Sequence, residues 1–183
     1  MTICTLETLV KERARCEAQG LRVVLTNGIF DLLHAGHVEY LTRARALGDR
    51  LIVALNSDAS SRSLKGAQRP LIPEADRALL LNALRPVDYV TVFAELTAER
   101  VVAALRPDLY VKGGDYASTP DLSPDLSRLP EARLVLSYGG EVQLLPYSTG
   151  RSTTTLIERI VTVYGRDPVT HDEASKKNLM VDT

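Results

Sequence analysis

Cysteine is scarce in this 183-residue chain. The only two, Cys4 and Cys16, lie near the N-terminus with no metal-type pairing, which argues against a disulfide scaffold and fits a reducing cytosol. Neither sign of charge is in excess, because 22 Lys and Arg face 23 Asp and Glu. With no global positive field, nucleic acid and anionic membranes are not expected partners, and an anionic ligand must be held by a local cluster. No stretch approaches the roughly 20 apolar residues of a membrane span, and the opening MTICTLETLVKERAR lacks the apolar core of a signal peptide. A cytoplasmic, unexported protein is expected. Internal repeats and domain boundaries are also missing. No G-x-G-x-x-G follows the first strand, which speaks against a dinucleotide-dependent dehydrogenase.

What is present is an alternation of two patterns, in a chain long enough to bury a real core as one domain. Short β-branched runs occur at residues 21–26, 51–55, 87–93, 109–111 and 142–145. Helical periodicity fills residues 38–47, 74–84, 98–105, 131–138 and 152–164, and residues 6–19 read as an extra N-terminal helix ended by Gly20. Strands that are apolar throughout, separated by amphipathic helices, predict an α/β fold with a Rossmann-like open parallel five-stranded sheet and helices on both faces. The expected division is an N-terminal helix over 1–20, a catalytic domain over 21–164 and a polar tail over 165–183. Residues 117–130, with three prolines, read as a surface loop.

In such sheets ligands bind beyond the C-terminal strand ends, where strand order reverses. The segments that follow the predicted strands are the least ordinary in composition. The first runs from Thr26 through Asn27, Gly28, Phe30 and Asp31 to His34-Ala35-Gly36-His37. Gly28 permits a tight turn and a close backbone approach. His34 and His37 are three apart, so on a helical turn both imidazoles share one face, and Gly36 leaves room for a phosphate chain. The free N–H groups and positive dipole end of a helix start add to that anion site. The alternatives are a structural histidine pair or half of a metal site. Only His171 remains as a third histidine, and no cysteine accompanies the pair, which weakens the metal reading.

A second segment, Gly150-Arg151-Ser152-Thr153-Thr154, offers more hydroxyls at a helix start than capping needs, which suits a phosphate as well as a cap. Lys112-Gly113-Gly114-Asp115 ends a strand with two glycines, either to lie flat against a base or to make a tight turn. Lys65 and Arg69 sit in a basic loop, with Arg77 on the next helix; they either close over phosphates or form a solvated surface. Asp58 closes the second strand, where a helix cap is favoured over a role with Mg²⁺.

Taken together, TNGIFDLLHAGHVEYL, ALNSD, LKGAQRPL, VKGGDY and GRSTTTLI resemble, in order and spacing over residues 21–164, the HxGH nucleotidyltransferase superfamily. That superfamily includes the glycerol-phosphate and choline-phosphate cytidylyltransferases. Within it the chain is similar to the adenylyltransferase halves of bacterial ADP-heptose synthases. The resemblance implies transfer of AMP from ATP to D-glycero-β-D-manno-heptose 1-phosphate, with Mg²⁺ carried by the nucleotide, in a homodimer. It gives catalytic roles to His34, His37, Lys65, Ser152 and Thr153. Nucleotide binding falls to Asn27, Gly28, Phe30 and Gly36, to Lys112, Gly113, Gly114 and Asp115, and to Arg151 and Thr154. Acceptor binding falls to Asp31, Arg69 and Arg77. Gly114 stands where the cytidylyltransferases place the first Asp of an Asp-Asp pair that helps read cytosine, and this difference implies ATP. The alternatives are a CTP-dependent enzyme for glycerol 3-phosphate and a nucleotide-binding module without catalysis. Many heptose enzymes carry a sugar-kinase domain ahead of this half, and none stands in this sequence, so a separate kinase is expected to supply the acceptor.

Overall fold

The computed structural model describes residues 2–113, 125, 127–146 and 152–165. The chain divides into two compact units, residues 1–151 and 152–183. In the first, β2 (Val23–Gly28), β3 (Arg50–Asn56), β4 (Tyr89–Phe93), β5 (Leu109–Gly113) and β6 (Glu141–Leu145) are the five expected strands. All neighbours in the sheet are parallel. A two-residue strand, β1 (Thr2–Ile3), joins the edge beside β4 and completes the order β1-β4-β3-β2-β5-β6.

The apolar runs are explained by burial on both faces. Leu51, Val53 and Leu55 of β3 pack with α2 (Ala35–Arg45) and α4 (Glu74–Asn82) through Leu41, Ala44, Ala78 and Leu81. The intervening Ile52 and Ala54 pack on the opposite face with α1 (Leu6–Ala18), α5 (Glu99–Leu105) and α6 (Pro130–Ser137). A strand whose alternate side chains both meet helices has no polar face to show. The expected stop holds, since Gly20 takes φ 67 just beyond the end of α1, and Thr5 caps its start by accepting the Thr8 N–H at 3.2 Å.

One helix, α3 (Asp58–Lys65), has no counterpart in the hydrophobic pattern. Its inward face carries serine rather than leucine. Ser57 is the cap, accepting from the Ser60 N–H at 3.1 Å, so Asp58 is the first helical residue and not the cap. The buried Ser60 hydroxyl donates to the Glu95 carbonyl at 2.7 Å and accepts from Asn56 Nδ2 at 2.9 Å. Hydrogen bonding replaces apolar contact here, and apolar periodicity is blind to it.

The order reverses at β2. The chain steps from β2 outward through β3 and β4, then returns to lay β5 on the other side of β2. The crevice of a doubly wound sheet therefore falls at the C-terminal ends of β2 and β5.

Candidate active site

The turn from β2 to α2 is built against local backbone preference. Phe30 and Leu32 both have φ 48, in the left-handed region that costs a non-glycine residue roughly 1–2 kcal/mol. Such strain persists only where the surroundings over-determine it. Between the two, the buried Asp31 carboxylate accepts the Leu71 N–H and Arg69 Nε at 2.8 Å on Oδ2, and the Ile72 N–H at 3.0 Å on Oδ1. Burial works against its charge, but the hydrogen bonds from Leu71, Ile72 and Arg69 outweigh it and hold the Asp31 pKa below the usual carboxylate value. Phe30 closes the turn from above. A Cβ on Gly28 would lie 3.0 Å from the Phe30 ring, so the glycine makes room for that ring. Phe30 in turn meets His37, with ring centroids 5.4 Å apart.

His34 and His37 form a reciprocal capping box on α2. His34 Nδ1 accepts the Gly36 N–H at 3.1 Å, and His37 Nδ1 accepts the His34 N–H at 3.4 Å. An Nδ1 that accepts carries no proton, so both imidazoles are assigned the tautomer with hydrogen on Nε2. The rings stack at 4.0 Å between centroids, tilted by 27°. Burial, reinforced by the neighbouring His34 and only partly opposed by Asp31, lowers the His37 pKa from 6.5 to about 4. At neutral pH His37 is thus an uncharged donor through Nε2, locked in orientation by the helix start it caps.

Across the strand reversal, Lys112 Nζ donates to Asn27 O and Oδ1, each at 3.1 Å. Tyr110 Oη donates to the same Oδ1 at 2.6 Å. Lys112 is buried, and Gly113 ends β5 beside it. The structure thus gathers Asn27, Gly28, His34, Gly36, His37, Lys112 and Gly113 at the C-terminal ends of two neighbouring strands and the helix that follows one of them. Gly114, Asp115 and Arg151 lie outside the described residues.

Three expected ligand contacts are placed differently. Arg77 was expected to close over phosphates, but its side chain is wholly buried. Its guanidinium donates to Ile72 O at 2.8 Å, Ile29 O at 2.5 Å, Asn56 O at 3.0 Å and Asp58 Oδ1 at 2.6 Å. It therefore ties together the turn after β2, the end of β3, the start of α3 and the segment after α3. Asp31, expected on the acceptor, faces inward and anchors the 69–72 loop. Phe30, expected on the nucleotide, is only 7% exposed and buttresses His37. Arg69 keeps a quarter of its side chain exposed beside Asp31, and Lys65 is exposed at the last position of α3.

In the second unit, α7 (Thr153–Tyr164) starts at Ser152. The Ser152 hydroxyl accepts the Thr155 N–H at 3.0 Å and lies 2.9 Å from the Thr155 hydroxyl. Thr153 and Thr154 complete a first turn made of hydroxyl residues.

Comparison with known proteins supplies the family. The cytidylyltransferase-like family matches residues 25–159. The chain belongs to that family. Among curated relatives, the bifunctional protein HldE of Geobacter sulfurreducens is 49% identical over 162 residues, covering 88% of this chain and 31% of that protein. HldE of Salmonella arizonae is 48% identical over 160 residues, covering 87% of this chain and 32% of that protein. The chain thus spans about a third of the length of these relatives. Of the solved structures, a lipopolysaccharide core biosynthesis protein from Thermoplasma volcanium is 27% identical with a TM-score of 0.56, over 70% of this chain and 98% of that one. Pantoate-beta-alanine ligase from Francisella tularensis, 12% identical, shares the fold with a TM-score of 0.57 over 97% of this chain and 84% of that one.

This cytidylyltransferase-like chain also uses residues that sequence reasoning passed over. Tyr40, one turn beyond His37 on α2, donates from Oη to the Val111 carbonyl at 3.0 Å and hydrogen-bonds the Thr26 hydroxyl at 2.7 Å. The only sequence signal was a polar-tipped aromatic three residues after His37 on the same helix. No helix among the described residues is long and apolar enough to cross a membrane.

Proposed function

We propose that the chain is a nucleotidyltransferase that transfers AMP from MgATP to D-glycero-β-D-manno-heptose 1-phosphate, releasing ADP-heptose and pyrophosphate. The observation that carries this reading is the stacked histidine pair capping α2 at the strand reversal, with His37 uncharged. Two Nε2–H donors held rigidly at a helix N-terminus suit negative charge that grows at phosphorus. The heptose rests on likeness to the HldE proteins, at 48 to 49% identity, and on the ADP-heptose synthase pattern in the sequence. Gly114 in place of an acidic residue supports ATP over CTP.

In this reaction an oxygen of the sugar phosphate attacks the α-phosphorus in line. The new O–P bond forms as the bond to the β-phosphate oxygen breaks, and pyrophosphate carries away the electron pair. The attacking phosphate is largely ionised at neutral pH, so no strong base is required. Positioning and charge stabilisation supply the catalysis. His34 and His37 donate to the triphosphate, and Lys65 neutralises charge where the two substrates meet. By the family resemblance, Ser152, Thr153, Thr154 and Arg151 hold the leaving phosphates, and Gly113 to Asp115 line the nucleoside pocket. Among the described residues no three His, Cys, Asp or Glu side chains gather to hold an ion. By the family resemblance, Mg²⁺ comes with the substrate, as MgATP. A cytoplasmic homodimer is part of the same reading.

Pyrophosphate release measured for ATP and CTP against heptose 1-phosphate and glycerol 3-phosphate tests the proposal. Turnover is expected with ATP and the heptose alone. Preference for CTP and glycerol 3-phosphate would replace it with a cytidylyltransferase, and tight ATP binding without turnover of any acceptor would replace it with a binding module. Gly114→Asp should weaken use of ATP; an unchanged preference removes the basis for choosing adenine.

A further inference from the structure

The sheet is not continuous across its strand reversal. β2 pairs with β3 to its last residue, Gly28 opposite Leu55, and β5 pairs with β6 to its last, Gly113 opposite Leu145. Between β2 and β5 the ladder joins only Val24 with Leu109 and Leu25 with Tyr110. Residues 26–28 and 111–113, all described, lie beyond that ladder on either side of a gap.

A split sheet leaves backbone carbonyls that the ladder would have satisfied, and buried carbonyls need partners. Side chains supply them from both faces. On the α2 face, Tyr40 Oη donates to Val111 O, and with that proton committed, the Thr26 hydroxyl donates to Tyr40. One phenol thereby joins β2 to β5. On the face of α1, α5 and α6, where Tyr110 packs, Lys112 Nζ reaches back to Asn27 O, and both Lys112 and Tyr110 hold Asn27 Oδ1. The gap is braced above and below.

We propose that Tyr40 is a positioning residue for the nucleotide. With Thr26 on its own face, and with Lys112 and Tyr110 acting through Asn27 on the other, it sets the separation of β2 and β5 at the mouth of the crevice. Tyr40 also lies three residues from His37 on α2, so the same brace that fixes the gap fixes the depth of the helix bearing the imidazoles. That a nucleotide enters the gap rests on the proposed function. The brace itself rests only on the hydrogen bonds described above.

Tyr40→Phe keeps the ring and removes the bridge; Thr26→Val removes the other hydroxyl, and Thr26→Ser restores it. Affinities for ATP and for CTP are measured by calorimetry, amide exchange at residues 26–28 and 111–113 by NMR, and Tm by circular dichroism. Thr26→Val, which cuts one hydrogen bond, should weaken binding of the preferred nucleotide about fivefold to tenfold, and Tyr40→Phe, which cuts two, at least as much. Exchange should rise at the gap and not across the sheet. The double variant should be no weaker than the worse single, because one chain of hydrogen bonds is cut only once. Thr26→Ser should bind as the wild type. Unchanged affinity and unchanged exchange in Tyr40→Phe overturn the proposal, whatever happens to Tm. If the wild type binds neither nucleotide, the proposed function fails, and exchange alone decides the brace: raised at the gap supports it, unchanged overturns it.

Discussion

Replacing Arg77 with methionine separates a structural arginine from a phosphate-binding one. Methionine keeps most of the apolar stem and removes every donor. Three carbonyls, Ile29 O, Ile72 O and Asn56 O, lose a partner, and Asp58 loses the guanidinium 2.6 Å from its carboxylate. Breaking a buried ion pair from one side costs about 3–5 kcal/mol. Asp58 retains 26% exposure, so water rescues part of its charge. The orphaned carbonyls add to the loss, because an unsatisfied buried group costs about 1–3 kcal/mol. These opposing corrections leave about 4 kcal/mol. At about 2–4 °C per kcal/mol for a domain of this size, Tm should fall by about 8–16 °C. Thermal and urea unfolding followed by circular dichroism read this directly. Arg77→Lys should recover less than half, since a single ammonium cannot reach four acceptors arranged for a fork. A Tm within about 3 °C of wild type for Arg77→Met would refute the clamp and return Arg77 to the ligand site.

Lys65→Met should do the reverse, lowering turnover by roughly 100-fold while leaving Tm almost unchanged, because under the proposed function this exposed side chain serves the transition state and not the fold; a large Tm loss would contradict that role. His37→Ala should cut turnover by about 100-fold to 1000-fold, the loss of one preorganised donor, with only about 1 kcal/mol lost from the helix cap. Near-normal activity would sink the assignment. The imidazole resonance of His37 should titrate with a midpoint near 4 rather than 6.5. Because the folded pKa lies below the unfolded one, the unfolded chain binds this proton more readily. The stability is present above about pH 6.5 and is lost as pH falls towards about 4, when the protonated Nδ1 faces the His34 N–H that it caps. A midpoint at 6 or above would show that the ring is not buried as described.

Much of the fold was legible because hydrophobic pattern reports burial. Runs such as LIVAL, apolar at every position, required helices on both faces, and the helices between them implied a parallel five-stranded sheet, whose strand order came only from the structure. β1 and α3 escaped for physical reasons. Two residues carry no periodicity, and α3 packs through Ser60 rather than through an apolar stripe. The histidine turn was legible because two of three histidines and a glycine fall within four residues after a strand.

What the sequence determined by itself was therefore local: residue types in register along the chain, and the strand–turn–helix that turns His34 and His37 into a pair. Only the tertiary structure decided which charged residues stay exposed and which hold the protein together. Arg69 and Arg77 look alike as residues of one basic segment, yet Arg77 is sealed under four acceptors drawn from two loops, the end of β3 and the start of α3. Asp31 sits in the motif but turns away to collect amides about 40 positions along the chain. The brace at Tyr40 exists only because β2 and β5, 80 and more residues apart, become neighbours and then part. Long-range contacts set the partners of a polar side chain, and its charge is spent on those partners before any substrate arrives.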